Sequence, residues 1–323
     1  MPALAVGVLT GLGKRPRRDA VLPRTRLVVP GVRTDRRRLA AYAEVCGFAR
    51  GLPSAHPARG RPGDRPGPPS GSPAVEEWLP LTYPHVLGFP LAARLMASRA
   101  FPLPLLGLVH TSIEITQRTR LNADDVLELS VHAEELRPHR RGTEAVIVTE
   151  ARREGVPVWR DLSTYLARGP VASTDRANAV PDGPRTGEPR TEASLTEGPR
   201  TGEPRTEGTL PHRATWRLPA GLGRRHAAVS GDYNPIHLHP WTARPLGFRR
   251  AIAHGMWTFA RCVAETDAAS ADEVTVRAEF RSPVLLPSAT AYAADGPAFE
   301  LRSADDPGRL HVRGEVTLPQ VRP

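Results

Sequence analysis

The 323-residue sequence predicts an α+β fold built twice, each copy one long helix laid against an antiparallel sheet. Three observations carry this. The same order of elements occurs on both sides of a Pro/Gly-rich segment at 170–211. The β-like runs are joined by short turns, and short turns between consecutive strands require antiparallel pairing. Finally, Tyr42-Ala-Glu-Val-Cys-Gly-Phe48 aligns with His226-Ala-Ala-Val-Ser-Gly-Asp232, which points to a tandem duplication.

In chain order, residues 1–28 read as an N-terminal extension, and 29–169 as the first folded part. Arg36–Val45 has helical apolar spacing and stops near Gly47. Gly51–Pro73 reads as a Pro/Gly-rich loop, Leu91–Ala97 as a second helix ahead of the proline-rich Phe101–Pro104. Four strands are expected at Val109–Thr119, Val126–Leu136, Ala145–Ala151 and Pro157–Ala167, with turns at Arg140-Arg141-Gly142 and Glu154-Gly155. Residues 170–211 contain the decapeptide GPRTGEPRTE at 183–192 and again at 198–207. Such a segment has nothing to bury against its ordering entropy and reads as a disordered linker. The second part, 212–323, opens on a loop with a short helix, followed by a helix at about 255–265. Strands are expected near Val274–Ser282, Ala289–Ala294, Ala298–Arg302 and Leu310–Leu318.

Composition narrows the function. Forty-four basic residues against 34 acidic give a net charge of +10, and Lys14 is the only lysine among them. So strong an arginine bias makes the charge weak evidence for nucleic acid, and with 5% aromatics there is no basic-aromatic interleaving to stack on bases. No apolar run reaches the roughly 18–20 residues that span a bilayer. No cationic segment precedes the mildly apolar Met1–Gly13, so no signal peptide is expected, and the cytosol is the expected compartment. Cys46 and Cys262 cannot make a disulfide framework or a cysteine-rich zinc site.

Chemistry concentrates in Ser230–Met256, SGDYNPIHLHPWTARPLGFRRAIAHGM. Asp232 precedes His237 by five residues, with Asn234-Pro235 between them to turn the chain. A fold-back there brings a carboxylate and an imidazole to one point, where they can hold a water and exchange protons with it. His254-Gly255-Met256 sits where the second helix begins, and free N–H groups at a helix start favour a developing negative charge. The cluster His226, His237, His239 and His254 has no HExxH or cysteine spacing, so no metal is expected.

This ordered series, SGDYNPIH with Gly247-Phe248 and Ile252-Ala-His-Gly-Met256 downstream, resembles the MaoC-like dehydratases, or (R)-specific enoyl-thioester hydratases, of the hot-dog fold. The whole chain resembles the double hot-dog 3-hydroxyacyl-thioester dehydratases, in which each sheet wraps around a central helix and only the C-terminal repeat keeps its catalytic residues. The resemblance implies that Asp232 and His237 are the catalytic pair, and that the Gly255 amide polarises the thioester carbonyl. It gives Asn234 and Ser230 supporting roles. His254, read from the residues alone, is expected to hydrogen-bond within the fold. No cofactor is implied. Phe48 stands in the first repeat where Asp232 stands in the second, so residues 29–169 are expected to be non-catalytic. The expected substrates are acyl-CoA or acyl-carrier-protein thioesters, with the positive charge helping an acidic carrier to dock and Arg249-Arg250 offered to a phosphate. The expected form is a monomeric pseudo-dimer or a homodimer. A hot-dog thioesterase and a non-catalytic acyl-thioester binding protein are the alternatives.

Overall fold

The computed structural model describes residues 21–48, 77–105, 107–169 and 210–319. The 51–73 loop and both decapeptides lie outside the described residues, as does the linker through residue 209.

The first repeat comprises β1 (Arg26–Val32), α1 (Arg36–Cys46), α2 (Tyr83–Ala97), β2 (Val109–Gln117), β3 (Leu127–His139), β4 (Gly142–Arg153) and β5 (Val156–Arg168). The second comprises β6 (His212–Leu218), α3 (Leu222–Ser230), a helical turn α4 (Pro240–Ala243), α5 (Gly255–Val263), β7 (Val274–Phe280), β8 (Ser288–Asp295), β9 (Ala298–Ser303) and β10 (Leu310–Thr317). All ten strands form one antiparallel sheet in the order β1-β3-β4-β5-β2-β7-β10-β9-β8-β6. Read inward from its own edge, each half has its first, third, fourth, fifth and second strand in succession. That is the internal two-fold of a double hot-dog. The halves join along β2 and β7, from Ser112 opposite Glu279 to Gln117 opposite Val274.

Each repeat has a fifth strand that periodicity did not predict. β1 starts at Arg26, within the expected extension, and β6 occupies the expected loop at the start of the second part. Both are edge strands. β1 carries Pro30-Gly31, and its pairing with β3 shifts register between Val29 and Val32. Proline and a bulge are tolerated at an edge, where one side of the strand needs no partner. The second helix of the first repeat also begins eight residues before the expected Leu91, at Tyr83. Pro84 fits its first turn, and the interior Pro90 is exposed, so the missing N–H faces water.

The aligned heptapeptides become symmetric helix ends. α1 and α3 each stop at a left-handed glycine, Gly47 at φ 78° and Gly231 at φ 83°. Tyr42 and His226 meet across the two helices with ring centroids 6.2 Å apart. α5 is buried along nearly its whole length, and the Trp257 indole N–H donates to the Val45 carbonyl at 2.8 Å, tying the repeats together.

Candidate active site

Alternate residues of the Ser230–His237 turn hold one another. Ser230 Oγ accepts the Asp232 N–H at 3.2 Å, Asp232 Oδ1 accepts the Asn234 N–H at 3.0 Å, and Asn234 Oδ1 accepts the Ile236 N–H at 3.4 Å. Asn and Asp favour such side-chain-to-backbone turns. Pro235 then opens a 3-10 turn, Pro235–His237, that swings the imidazole inward. Two bonds lock the histidines. His237 Nδ1–H donates to the Ile252 carbonyl at 2.9 Å, and His254 Nε2–H donates to the Asp232 carbonyl at 2.9 Å. Each therefore keeps its other nitrogen as a lone pair, at Nε2 of His237 and Nδ1 of His254.

A glycine the motif does not contain sets the depth of His237. A Cβ at Gly223, on α3, would stand 2.0 Å from the His237 carbonyl oxygen, a backbone atom with no freedom to yield. Gly223→Ala is therefore expected to push the 3-10 turn outward and lower turnover at least tenfold with secondary structure retained. Circular dichroism and a rate assay on the same sample check this; wild-type turnover in the variant would remove Gly223 from the account.

Asp232, Asn234, His237, His254 and Gly255 line a cavity of about 440 Å³. Its far wall comes from the first repeat: His85, Phe89 and Met96 of α2, His110 of β2 and Tyr165 of β5. Asp232 keeps 27% of its side chain exposed, whereas His254 keeps 1%. Burial, and then the neighbouring His254, drive the His237 pKa down to about 3 although Asp232 pulls the other way, so the ring is neutral at physiological pH. Burial likewise lowers His254. Gly255 is the first residue of α5, so its N–H has no acceptor within the helix. A Cβ there would press on the Phe280 ring at 3.3 Å, leaving glycine as the residue that lets a ligand approach the amide.

Asp232, His237 and His254 also place one donor atom each within 4.8 Å of one another, a set that an ion could span. The rings of His237 and His254 lie face to face, 3.6 Å apart and 24° from parallel.

The structure brings Ser230, Asp232, Asn234, His237, His254 and Gly255 to one cavity wall. Arg249 and Arg250, expected at a phosphate, are both exposed and do not line the cavity, and Arg250 Nη1 donates to the Pro287 carbonyl at 3.0 Å. The cavity arginines are Arg140, Arg141, Arg168 and Arg281, three of them from the first repeat. The turn Arg140-Arg141-Gly142 was legible in the sequence; its proximity to the Asp232 loop was not, because it depends on the pairing of the two halves. Gly223, His85 and Tyr165 are the other site residues no local motif marked.

Two five-stranded repeats, with an Asp–His turn in the second facing a helix N-terminus, define a double hot-dog protein of the acyl-thioester-processing kind. A family model described as "MaoC like domain" matches residues 211–294. 3-hydroxyacyl-thioester dehydratase X of Mycobacterium tuberculosis (strain ATCC 25618 / H37Rv) is 32% identical over 282 residues, covering 87% of this chain and 84% of that protein. The crystal structure of HtdX from Mycobacterium tuberculosis superposes with a TM-score of 0.67 at 28% identity, over 90% of this chain and 99% of that one. A MaoC-like dehydratase from Phytophthora capsici shares the fold, with a TM-score of 0.64 at 15% identity, over 94% of this chain and 98% of that chain. The chain belongs to the MaoC-like dehydratase family, alongside the 3-hydroxyacyl-thioester dehydratases.

Proposed function

We propose that the chain is a hydro-lyase interconverting trans-2-enoyl and (R)-3-hydroxyacyl thioesters of fatty-acid metabolism, with its chemistry in the second repeat. The observation that carries this is the facing pair in the cavity wall: the Asp232 carboxylate and the free Nε2 of a neutral His237, beside the unengaged amide of Gly255. In the hydration direction the thioester carbonyl oxygen accepts the Gly255 N–H. A water donates one O–H to Asp232 and presents the other to His237 Nε2. His237 takes that proton as the water oxygen bonds to C3, the alkene electrons move to an enolate at the carbonyl oxygen, and the imidazolium returns the proton to C2. Oxygen and hydrogen arrive from one face, and dehydration is the reverse.

General acid–base groups contribute about 10²–10⁴-fold, and an oxyanion donor about 10²–10³-fold. The thioester already acidifies the C2 proton, so this chemistry asks for no cofactor. The first repeat is read as non-catalytic, because buried Phe48 fills the place of Asp232 and stacks on Tyr42 at 6.3 Å. Arg140, Arg141, Arg168 and Arg281 form a positive rim suited to the phosphates of coenzyme A or of a carrier-bound phosphopantetheine. An acidic acyl carrier protein would be steered to the same rim. No helix among the described residues is long and apolar enough to cross a membrane, and the cytosol is the proposed working place.

The test is to give the whole protein crotonyl-CoA and a longer enoyl-CoA, then the same chains on an acyl carrier protein, while following enoyl absorbance and thiol release together. Loss of absorbance without free thiol is expected. Thiol release from saturated acyl-CoA would make it a thioesterase, and binding with neither signal an acyl-thioester carrier.

A further inference from the structure

Across the cavity from the Asp232 loop, the first repeat supplies a second ionisable pair. His85, the third residue of α2, is hydrogen-bonded through Nδ1 to Asp161 Oδ2 of β5 at 2.8 Å. Asp161 Oδ1 also accepts the Ser163 hydroxyl at 3.1 Å. Asp161 is 0% exposed and His85 6%. Burying such a pair is costly, and apolar packing of similar volume ties a helix to a strand at least as well. A reason for its presence lies at its open end. His85 lines the cavity, and among the described residues its Nε2 has no hydrogen-bond partner.

The neighbours make this a polar station. The His110 ring lies 6.3 Å from that of His85 and is nearly parallel to it, with Nε2 buried and unpartnered. Tyr165 stacks on His110 at 4.5 Å. On the other side His226 has both ring nitrogens buried without a partner and packs 4.5 Å from His254, which bonds the Asp232 backbone. Further along α2 the cavity-lining positions turn apolar, through Phe89, Ala93 and Met96. The polar station therefore lies between the reacting centre and an apolar stretch suited to the end of an acyl chain.

We propose that His85, held by Asp161, is a specificity-determining contact for a hydroxyl group on the acyl chain beyond C3. A hydroxyl is the group that fits either form of the ring, donating to a neutral Nε2 or accepting from an Nε2–H. Chain extension by two carbons puts oxygens on odd-numbered carbons. The reaction supplying such a substrate is a ketoreduction in an earlier extension round that was not followed by dehydration. This inference rests on the hydro-lyase reading for its chemistry, though not for its binding.

Calorimetry on the whole protein tests the binding, using decanoyl-CoA and its counterparts hydroxylated at C5, C7 or C9. One isomer is expected to bind about tenfold more tightly than the plain chain, the size of one hydrogen bond. That ratio is expected to fall to about one in His85→Phe and in Asp161→Asn, with His85→Gln as a milder variant should either fail to fold. The corresponding enoyl-CoAs are then expected to show the same ratio in kcat/KM. No preference for any isomer overturns the proposal, and so does a preference that survives in the variants. An equal loss for plain and hydroxylated chains also overturns it, since that marks the pair as a tie between α2 and β5. A binding preference without turnover of any enoyl thioester leaves the contact standing and sinks the hydro-lyase reading alone.

Discussion

Asp232→Asn and His237→Ala are each expected to lower kcat/KM for enoyl-thioester hydration by about a thousandfold, within the range for loss of a positioned acid–base group. Asp232→Asn isolates chemistry from structure. Its amide oxygen can still accept the Asn234 N–H that Asp232 Oδ1 accepts at 3.0 Å, so the turn is kept while the charge is lost. His237→Ala removes the lone pair on Nε2 together with the bond from Nδ1–H to the Ile252 carbonyl, a loss of about 1 kcal/mol in stability. Thermal melts of both variants should stay close to wild type while turnover collapses, and the double variant should be hardly slower than either single one, because the two groups act on one water. Either variant retaining more than a tenth of wild-type activity would falsify the assignment of the pair. A collapse of folding together with activity in Asp232→Asn would instead mark the turn as the reason the motif is there.

How far the sequence could be read depended on whether the information was local. α1, the eight inner strands and the Ser230–His237 turn are set by spacing, turn chemistry and capping within a few residues, and each was found close to its observed bounds. β1 and β6 were not, because an edge strand half open to water has no strong alternation to detect, and Pro30-Gly31 argues locally against a strand. The first half of α2 was lost for a similar reason: Pro84 and Pro90 look like breaks until it is known that one lies in the first turn and the other on the water side. Most telling is the far wall of the site. Arg249 and Arg250 are next to the motif in sequence and outside the cavity in space, whereas Arg140, Arg168, His85 and Tyr165 are remote in sequence and line it. Only the pairing of the two half-sheets brings them there. Gly223 is a milder case, since its need for glycine becomes visible once the His237 carbonyl is known to rest on it.

Acid is expected to destabilise this protein before its carboxylates titrate. Four imidazoles, of His110, His226, His237 and His254, line one cavity, and burial is the main force lowering the pKa of each. For His110 and His237 the folded-state value falls to about 3. Released by unfolding, each ring returns to an ordinary value of about 6.5. Between these limits the unfolded chain binds more protons than the folded one, so stability rises with pH across the window and is lost as pH falls below about 6.5. Each ring costs about 1.4 kcal/mol per pH unit inside the window, so by pH 5 His110 and His237 alone remove about 4 kcal/mol. His226 and His254 act with the same sign. Against a total stability of about 5–15 kcal/mol, that is a large share. Urea melts between pH 7.5 and 5 should show the midpoint falling steadily below pH 6.5, with uptake of two or more protons on unfolding. His110→Phe, which can keep the stacking on Tyr165 and Phe280, should reduce that uptake by about one proton. A midpoint flat from pH 7 to 5 would mean that these rings are hydrated in solution and titrate alike in the folded and the unfolded chain.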